Sequence, residues 1–577
     1  MITKGFKWLV FAICMLVPLA AQADITTTSQ NLDDFSFKKG LKVNGGLSVG
    51  NTFYRGSDSI IHRDPYALNL SGNLGINLWG ISMPFSFCYS NTHMSYTQPF
   101  NRYKLDPRYK WAHLLVGYNT LELSKYTLSD HDFRGVGVEL TPEHWDIAAM
   151  YGRLLKAVEF DPLAQNYNSV AYKRMGFGAK VGYQAKFGGD YKITFFHGWD
   201  DDSSLKDLIP EECLLTPQKN TAVSFAIGQK LFKKFFIRAE YAFTVYNSNL
   251  MNGEGEVEEG RSVIERIMGK RSFDRYMDAI NGAIGYQDKM WGISFNYERI
   301  TPGYTTLGGY YFINDVETFS LSPNFRLLKG KINFSGNVGL QRNNLDDNKA
   351  QKTKNVVCSA NLSIVPNEHW NASLAFSNYN TYTHVKPQAY PYYANAMDSL
   401  NFYQVSRSLT AALGYNWGTK DVKQSINAST AYQCANQLSE DRLTMFSDYV
   451  SGNLGFSQQI VPVFLGWSVY GMINYCDATG MESLYYGPGA NLSKAFAKGK
   501  FNTSLGVAYN IDDASGRERG SLINTSFSAS YAIDATKKKL GSHLFSLTSG
   551  YTKRFRANTS GNNDYEFLTS LNYRISF

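Results

Sequence analysis

Residues 66–78 read YALNLSGNLGINL, and their pattern decides the fold. Leu68, Leu70, Leu74, Ile76 and Leu78 hold alternate positions, with Asn69, Ser71, Asn73, Gly75 and Asn77 between them. Successive side chains on a strand point to opposite faces, so this segment has one greasy and one wet face. The pattern returns at Ile332, Phe334, Val338 and Leu340 against Asn333, Ser335, Asn337 and Gln341. A soluble β-sandwich alternates too, but its strands usually run five or six residues. Many of the periodic stretches here run roughly 11 to 15, which suits a tilted crossing of a bilayer.

Outward from these segments, the connections alternate in length. Short turns are expected at residues 328–331, 366–369, 418–421, 461–463 and 497–499, and longer polar loops at 343–354, 384–400, 437–446 and 512–520. Short periplasmic turns opposite long external loops are the habit of outer-membrane barrels. At the chain's end Tyr565, Phe567, Leu571, Tyr573, Ile575 and Phe577 share one face. That end resembles the C-terminal assembly signal of bacterial outer-membrane proteins, with Tyr573, Ile575 and Phe577 at its tip. The fold expected is all-β, a transmembrane antiparallel β-barrel of about 24 to 26 strands with long external loops, its even count leaving both termini in the periplasm. The irregular part is 111–140, where Tyr118-Asn119 is expected to turn the chain before a short strand. Pro84, Pro323 and Pro488 also interrupt strand-like segments, where a missing N–H predicts a bulge or a strand end.

The first residues read as a signal peptide. Lys4 and Lys7 precede an apolar run from Trp8 to Leu19, and Ala21-Gln22-Ala23 supplies a small-x-small cleavage site. The expected organisation is therefore a signal peptide at 1–23, a short periplasmic segment at 24–40 and the barrel at 41–577. Lipidation at Cys14 competes, but Ile13 stands where a small residue is needed. The run is too short for a membrane-spanning helix, which needs about 20 apolar residues. Strands must then make the crossing, because only helices and closed barrels satisfy the backbone in lipid.

Composition agrees, with 39 Tyr and 37 Phe against only 16 Pro. Of 57 basic groups, losing Lys4 and Lys7 leaves 55 against 49 acidic, a net of +6 without any long basic run, so nothing points to nucleic acid. Cys88, Cys213, Cys358, Cys434 and Cys476 are scattered and form no C-x-x-C pair. They read as small apolar residues, with no metal, cofactor or redox site implied.

Four stretches resemble a family of large outer-membrane β-barrel proteins of Bacteroidota: PFSFCYSN (84–91), YTLSDHDFRGVGVELTP (126–142), YERITPGYTTLGGYYFIND (297–315) and GNVGLQRNNLD (336–346). The resemblance implies an outer-membrane barrel. It carries no catalytic or binding residues onto this chain.

Size then bears on function. Twenty-six strands at ~4.8 Å spacing and ~40° tilt enclose a circumference near 160 Å, a bore of roughly 50 Å if circular. Left open, it would destroy the permeability barrier, so loops, inward side chains or a partner must fill, flatten or cap it. The function expected is a gated or partner-filled conduit, porin-like, in transport, secretion or surface display. A structural or surface-docking scaffold is the alternative, and a barrel hydrolase is the weakest reading. Ser129-Asp130-His131-Asp132 gathers a hydroxyl, an imidazole and two carboxylates, but triad members come from separate segments, and a polar turn is the plainer reading. The acidic runs Asp200-Asp201-Asp202 and 254–259 lack EF-hand spacing and read as solvated loops. No enzyme is expected.

The expected gate lies in the long connection 247–281. Ser262 and Glu265 fit a capping box, and Val263, Ile264, Ile267 and Met268 begin an apolar helical stripe that Phe273, Tyr276, Met277 and Ile280 continue. Expected partners are outer-membrane lipid and lipopolysaccharide, the barrel-assembly machinery and an unidentified lipoprotein or secreted protein.

Overall fold

The computed structural model describes residues 42–577, apart from 58–63, 92–100, 161–169, 207–214, 251–273, 311–313, 348–353, 379–380, 385–401, 440–441, 516–519, 534–540 and 557–563. From Lys42–Gly56 to Tyr565–Ser576 the chain forms 28 strand segments, each antiparallel to its neighbours. Two staves are broken. Arg102–Leu105 and Arg108–Tyr109 both lie between Ile81–Ser90 and Ala112–Thr120, and Trp370–Ser377 with Thr381–His384 lies beside Phe402–Gly418. The result is a closed 26-strand antiparallel barrel.

Closure is made by the two ends of the described chain. The first strand pairs with the last from Gly46↔Ser576 to Gly56↔Glu566, and Gly45 and Phe577 exchange backbone hydrogen bonds of 2.8 and 2.9 Å. No strand edge is left, which is what lets a sheet sit in hydrocarbon.

The two faces are sorted as the alternation demands. Along Gly189–Asp201, Ile193 is 55% exposed on the outside while Phe196 is fully buried on the inside. The outward apolar band is bordered by aromatic pairs. Near the short turns stand Trp145–Tyr183, Phe235–Tyr286, Trp370–Tyr415 and Phe545–Tyr573; near the long connections stand Phe53–Tyr66, Tyr103–Tyr118 and Tyr151–Trp199. Two such girdles mark the water boundaries of a membrane-spanning barrel.

Several expectations need correction. Tyr118 and Asn119 lie inside Ala112–Thr120, and the chain turns at 121–131 instead. The segment 437–446 is largely strand, because Val422–Ser439 and Arg442–Ile460 stay paired to their tips. The prolines cause no register shift. Pro84 sits opposite the gap in the broken fourth stave, where its carbonyl accepts from Asp106 N–H at 2.9 Å. At Pro323 and Pro488 the ladder on one side skips two pairs and resumes in the same register. A missing N–H therefore costs a local interruption here, not a bulge.

If closure rests on the seam, deleting Phe577 or making Phe577→Lys should lower the amount of barrel in the outer-membrane fraction several-fold. The wild type should keep a compact electrophoretic mobility in SDS until boiled. Normal levels of heat-modifiable barrel in both variants would show that the C-terminal residue is dispensable.

Candidate functional site: two connections folded into the bore

On one side of the barrel the inner face is covered by the chain itself. The connection 121–131, after Ala112–Thr120, and the connection from 301, after Trp291–Ile300, turn inward and meet. Tyr126, Leu128 and Tyr304 are fully buried. Leu128 and Gly308 form a parallel bridge, and Ser129 N–H donates to Gly308 O at 3.0 Å. The Tyr304 hydroxyl donates to Tyr126 O at 2.8 Å and the Thr306 hydroxyl to Thr127 O at 2.7 Å. Buried backbone groups left unpaired cost about 1–3 kcal/mol each, so these side chains supply what a buried loop requires.

The wall holds the paired segments from below. Asn220, fully buried, donates to Val245 O at 3.0 Å and accepts from Leu307 N–H at 3.1 Å. The Thr244 hydroxyl donates to Thr305 O at 3.0 Å. Ser124 bonds Glu240, Lys125 pairs with Glu298, and the Tyr126 hydroxyl donates to Glu298 at 2.6 Å. Burial, and the Glu298 charge beside it, raise the Tyr126 hydroxyl well above the ordinary phenol range, so it remains a donor.

Apolar contacts complete the unit in two clusters joined by Tyr246. Leu121, Leu123, Leu128 and Leu307 pack with Leu115, Phe133, Met150, Leu154 and Phe196; Tyr126 and Tyr304 pack with Ala242, Met277, Ala279, Ile300 and Val316. Glycines in the wall and in the second connection make the room. A Cβ at Gly178 would stand 2.7 Å from Leu123 Cδ1, and one at Gly308 would stand 2.3 Å from Thr127 O.

The rest of the bore has a different lining. Across the described strands between Ile332 and Ala514 the inward positions are mainly Asn, Ser, Thr, Gly and Tyr, as at Asn337, Asn427, Asn453, Tyr470 and Asn491. Lys423 and Asp512, near opposite ends of their strands, are the charged exceptions on this face.

The sequence-based site residues fare unevenly. Tyr276, Met277 and Ile280 do not continue a helix: they lie in the strand Asp274–Gln287, paired with Val245, Thr244 and Tyr241. Tyr276 and Ile280 face outward and Met277 joins the buried inner cluster, a period of two that the backbone ladder enforces. Ser262, Val263, Ile264, Glu265, Ile267, Met268 and Phe273 lie outside the described residues, as do Cys213 and 254–259. Asp200 and Asp201 are not a solvated loop. Asp200 is buried against Arg174 at 2.7 and 3.0 Å, and Asp201 meets Lys173 at 2.6 Å. Tyr573 accepts or donates a 2.9 Å bond with His543, and Phe577 lies at the seam.

His131 is buried in the inward connection, stacked on Tyr310 at 4.1 Å, with Nδ1 2.8 Å from Asp132 O. The Ser129 hydroxyl lies 3.5 Å from Asp130, and no described hydrogen bond joins it to His131. Burial, with Arg174 nearby, holds the imidazole down at about 4, neutral at physiological pH.

The two inward connections escaped the sequence reading although a signal was present. Leu121, Leu123, Tyr126, Leu128, Tyr304 and Leu307 are too apolar for external loops and require burial. Two of the stretches that carry the family resemblance, 126–142 and 297–315, contain Tyr126, Leu128, Tyr304 and Leu307.

No family model and no curated protein matches the sequence. Among solved structures, the P pilus usher (PapC) translocation pore aligns with 93% of this chain and 99% of its own, at 11% identity and a TM-score of 0.36. The siderophore receptor PirA from Pseudomonas aeruginosa aligns with 93% of this chain and 80% of its own, at 12% identity and a TM-score of 0.38. For OccAB4 of Acinetobacter baumannii the shares are 71% and 100%, at 12% identity and a TM-score of 0.28. The chain is similar to these in being a large barrel, and the likeness carries nothing about activity.

Two outcomes test the unit. Gly308→Val should drive the two connections apart, raising hydrogen exchange or protease cleavage at 121–131 without loss of heat-modifiable mobility. Unchanged protection would mean the connections are not held by each other. Acidification should loosen the unit as well. His131 titrates at about 4 when buried and near 6.5 when released, so its contribution is present above about pH 6.5 and is lost as pH falls towards 4. Exchange at 121–131 should rise over that window, with a shallower slope in His131→Asn.

Proposed function

We propose that this protein is a bacterial outer-membrane conduit whose bore is narrowed by its own connections 121–131 and 301–310. The observation that supports this is that the two buried segments are bonded to each other, through Tyr304 and Thr306, and to the inner wall, through Asn220, Thr244 and Glu298. A barrel serving only as a surface scaffold has no need of an internal unit so closely hydrogen-bonded. The wall opposite supports a neutral, hydrogen-bonding cargo. Side-chain bonds such as Ser425···Ser457 at 2.7 Å and Asn427 to Ser425 at 3.1 Å present amides and hydroxyls, with little charge to select ions. Polar polymers, glycans or extended polypeptide, fit that surface better than small ions do. Export by the signal peptide at 1–23, recognition of the Phe577 end by the assembly machinery and a protein partner over the bore belong to the same reading. No reaction is part of it.

In planar bilayers the wild type should give a small conductance with weak cation–anion discrimination. Replacing residues 303–309 with a short Gly-Ser linker should raise the single-channel conductance at least twofold and sensitise cells to large antibiotics. An assembled variant with unchanged conductance would place the restriction elsewhere.

A further inference from the structure

On the outside of the barrel, at the long-connection end, two arginines face each other across adjacent strands. Arg134 in Asp132–Leu140 is the direct partner of Arg153 in Trp145–Leu155. Both belong to the outward set, since Val136 and Tyr151 on the same face are each 50% exposed. Like charges directly opposite on an antiparallel pair repel, and such positions normally carry opposite charges.

Other rim positions obey that rule. Lys173 and Asp201, also direct partners, form a 2.6 Å ion pair. Arg299 and Arg342 both stand opposite Glu317, which binds Arg342. Among the described residues no carboxylate is paired with Arg134 or Arg153, and Asp132 on the same face is held by Arg102 at 2.7 Å.

The pair is instead fixed by tyrosines. Arg134 donates to the Tyr103 hydroxyl at 3.0 Å and sits 5.4 and 5.7 Å from the centres of the Tyr103 and Tyr118 rings. Arg153 donates to the Tyr118 hydroxyl at 2.9 Å. Both hydroxyls act as acceptors, so each keeps its own proton to donate. Two guanidiniums and two phenol protons thus converge with no described carboxylate bonded to any of the four, a composition complementary to an anion.

Height and surroundings identify the anion's source. Trp145, in the lower girdle, lies eight residues before Arg153, and at ~3.3 Å rise with ~40° tilt this lifts Arg153 about 20 Å. That brings the pair to the far edge of an apolar band typically about 25 Å tall. Directly below, on the same face, run Val136, Val138, Ala149 and Tyr151, a strip suited to acyl chains. We propose that Arg134, Arg153, Tyr103 and Tyr118 form a site for the phosphate headgroup of a membrane lipid whose chains lie along this strip. The site depends on the barrel's place in the membrane and is independent of whether the bore conducts.

The test uses the full-length barrel in detergent, stripped of lipid, verified as folded by heat-modifiable mobility and incubated with lipid A. Native mass spectrometry reads the bound fraction. Arg134→Gln/Arg153→Gln should reduce the bound fraction at least fivefold, Arg134→Lys/Arg153→Lys should retain most of it, and dephosphorylated lipid A should bind no better to wild type than to the glutamine variant. Should the glutamine variant fail to fold, Tyr103→Phe/Tyr118→Phe should show at least a twofold loss. Equal retention by the glutamine variant, or by the phenylalanine variant where that one is used, would overturn the site. So would undiminished binding of the dephosphorylated lipid, or full displacement of lipid A by excess inorganic phosphate.

Discussion

Inside hydrocarbon no water is available to satisfy a backbone N–H or C=O, and a sheet survives there only when its last strand finds its first. In this chain that condition is met between Lys42–Gly56 and Tyr565–Ser576, more than five hundred residues apart in sequence. Once the seam is made, every strand has one face turned to lipid and the other to an enclosed space. The outward Leu, Ile, Val and aromatic side chains become solvated by acyl chains, and the inward Asn, Ser, Thr and Gly by water or by the protein. Nothing in the interior is stable without that enclosure: a connection carrying Tyr126, Leu128 and Tyr304 would expose them to solvent on an open sheet.

The interior is consequently of two kinds. From Ala112 to about Asn344 the wall offers small residues and a few hydrogen-bonding ones, Gly178, Ala222, Ala242, Asn220 and Thr244 among them, and the inward connections occupy the space so created. Beyond that arc the wall is cross-linked mainly side chain to side chain, as in Ser504···Ser528 at 2.7 Å and Thr552 to Asn524 at 2.8 Å. Polar groups with no charge stabilise neighbouring strands there.

Much of the fold was legible because alternation is a local signal that survives without any knowledge of partners. Strand type, number and the short turns at 328–331 and 497–499 followed from it. Where the reading failed, an apolar pattern was ambiguous over a short window. Met277 and Ile280 fit a helical stripe, but two-residue alternation of Tyr276, Met277 and Ile280 fits the ladder with Tyr241–Val245, and the ladder prevails because it pairs backbone groups that a helix end there would leave to chance. The inward connections were hidden for another reason. Whether a loop rich in Leu and Tyr packs on a neighbour or into a bore depends on Asn220 and Thr244, which follow the first of them far along the chain, and no local window joins these. The arginine pair was invisible in sequence because only the register sets residue 134 opposite residue 153.

The uneven filling also divides the barrel mechanically. Strands whose inner faces are bonded to a buried unit form a stiff arc, since shearing one past another would break contacts on the inside as well as the ladder. Among the described residues the remaining arc, from Lys354–Ile364 through the seam to Ile81–Ser90, has only its ladder and inward side-chain bonds to resist deformation. Any change in the barrel's cross-section is therefore borne by that compliant arc, so the outline of the barrel follows the elasticity of its paired strands rather than a fixed circle.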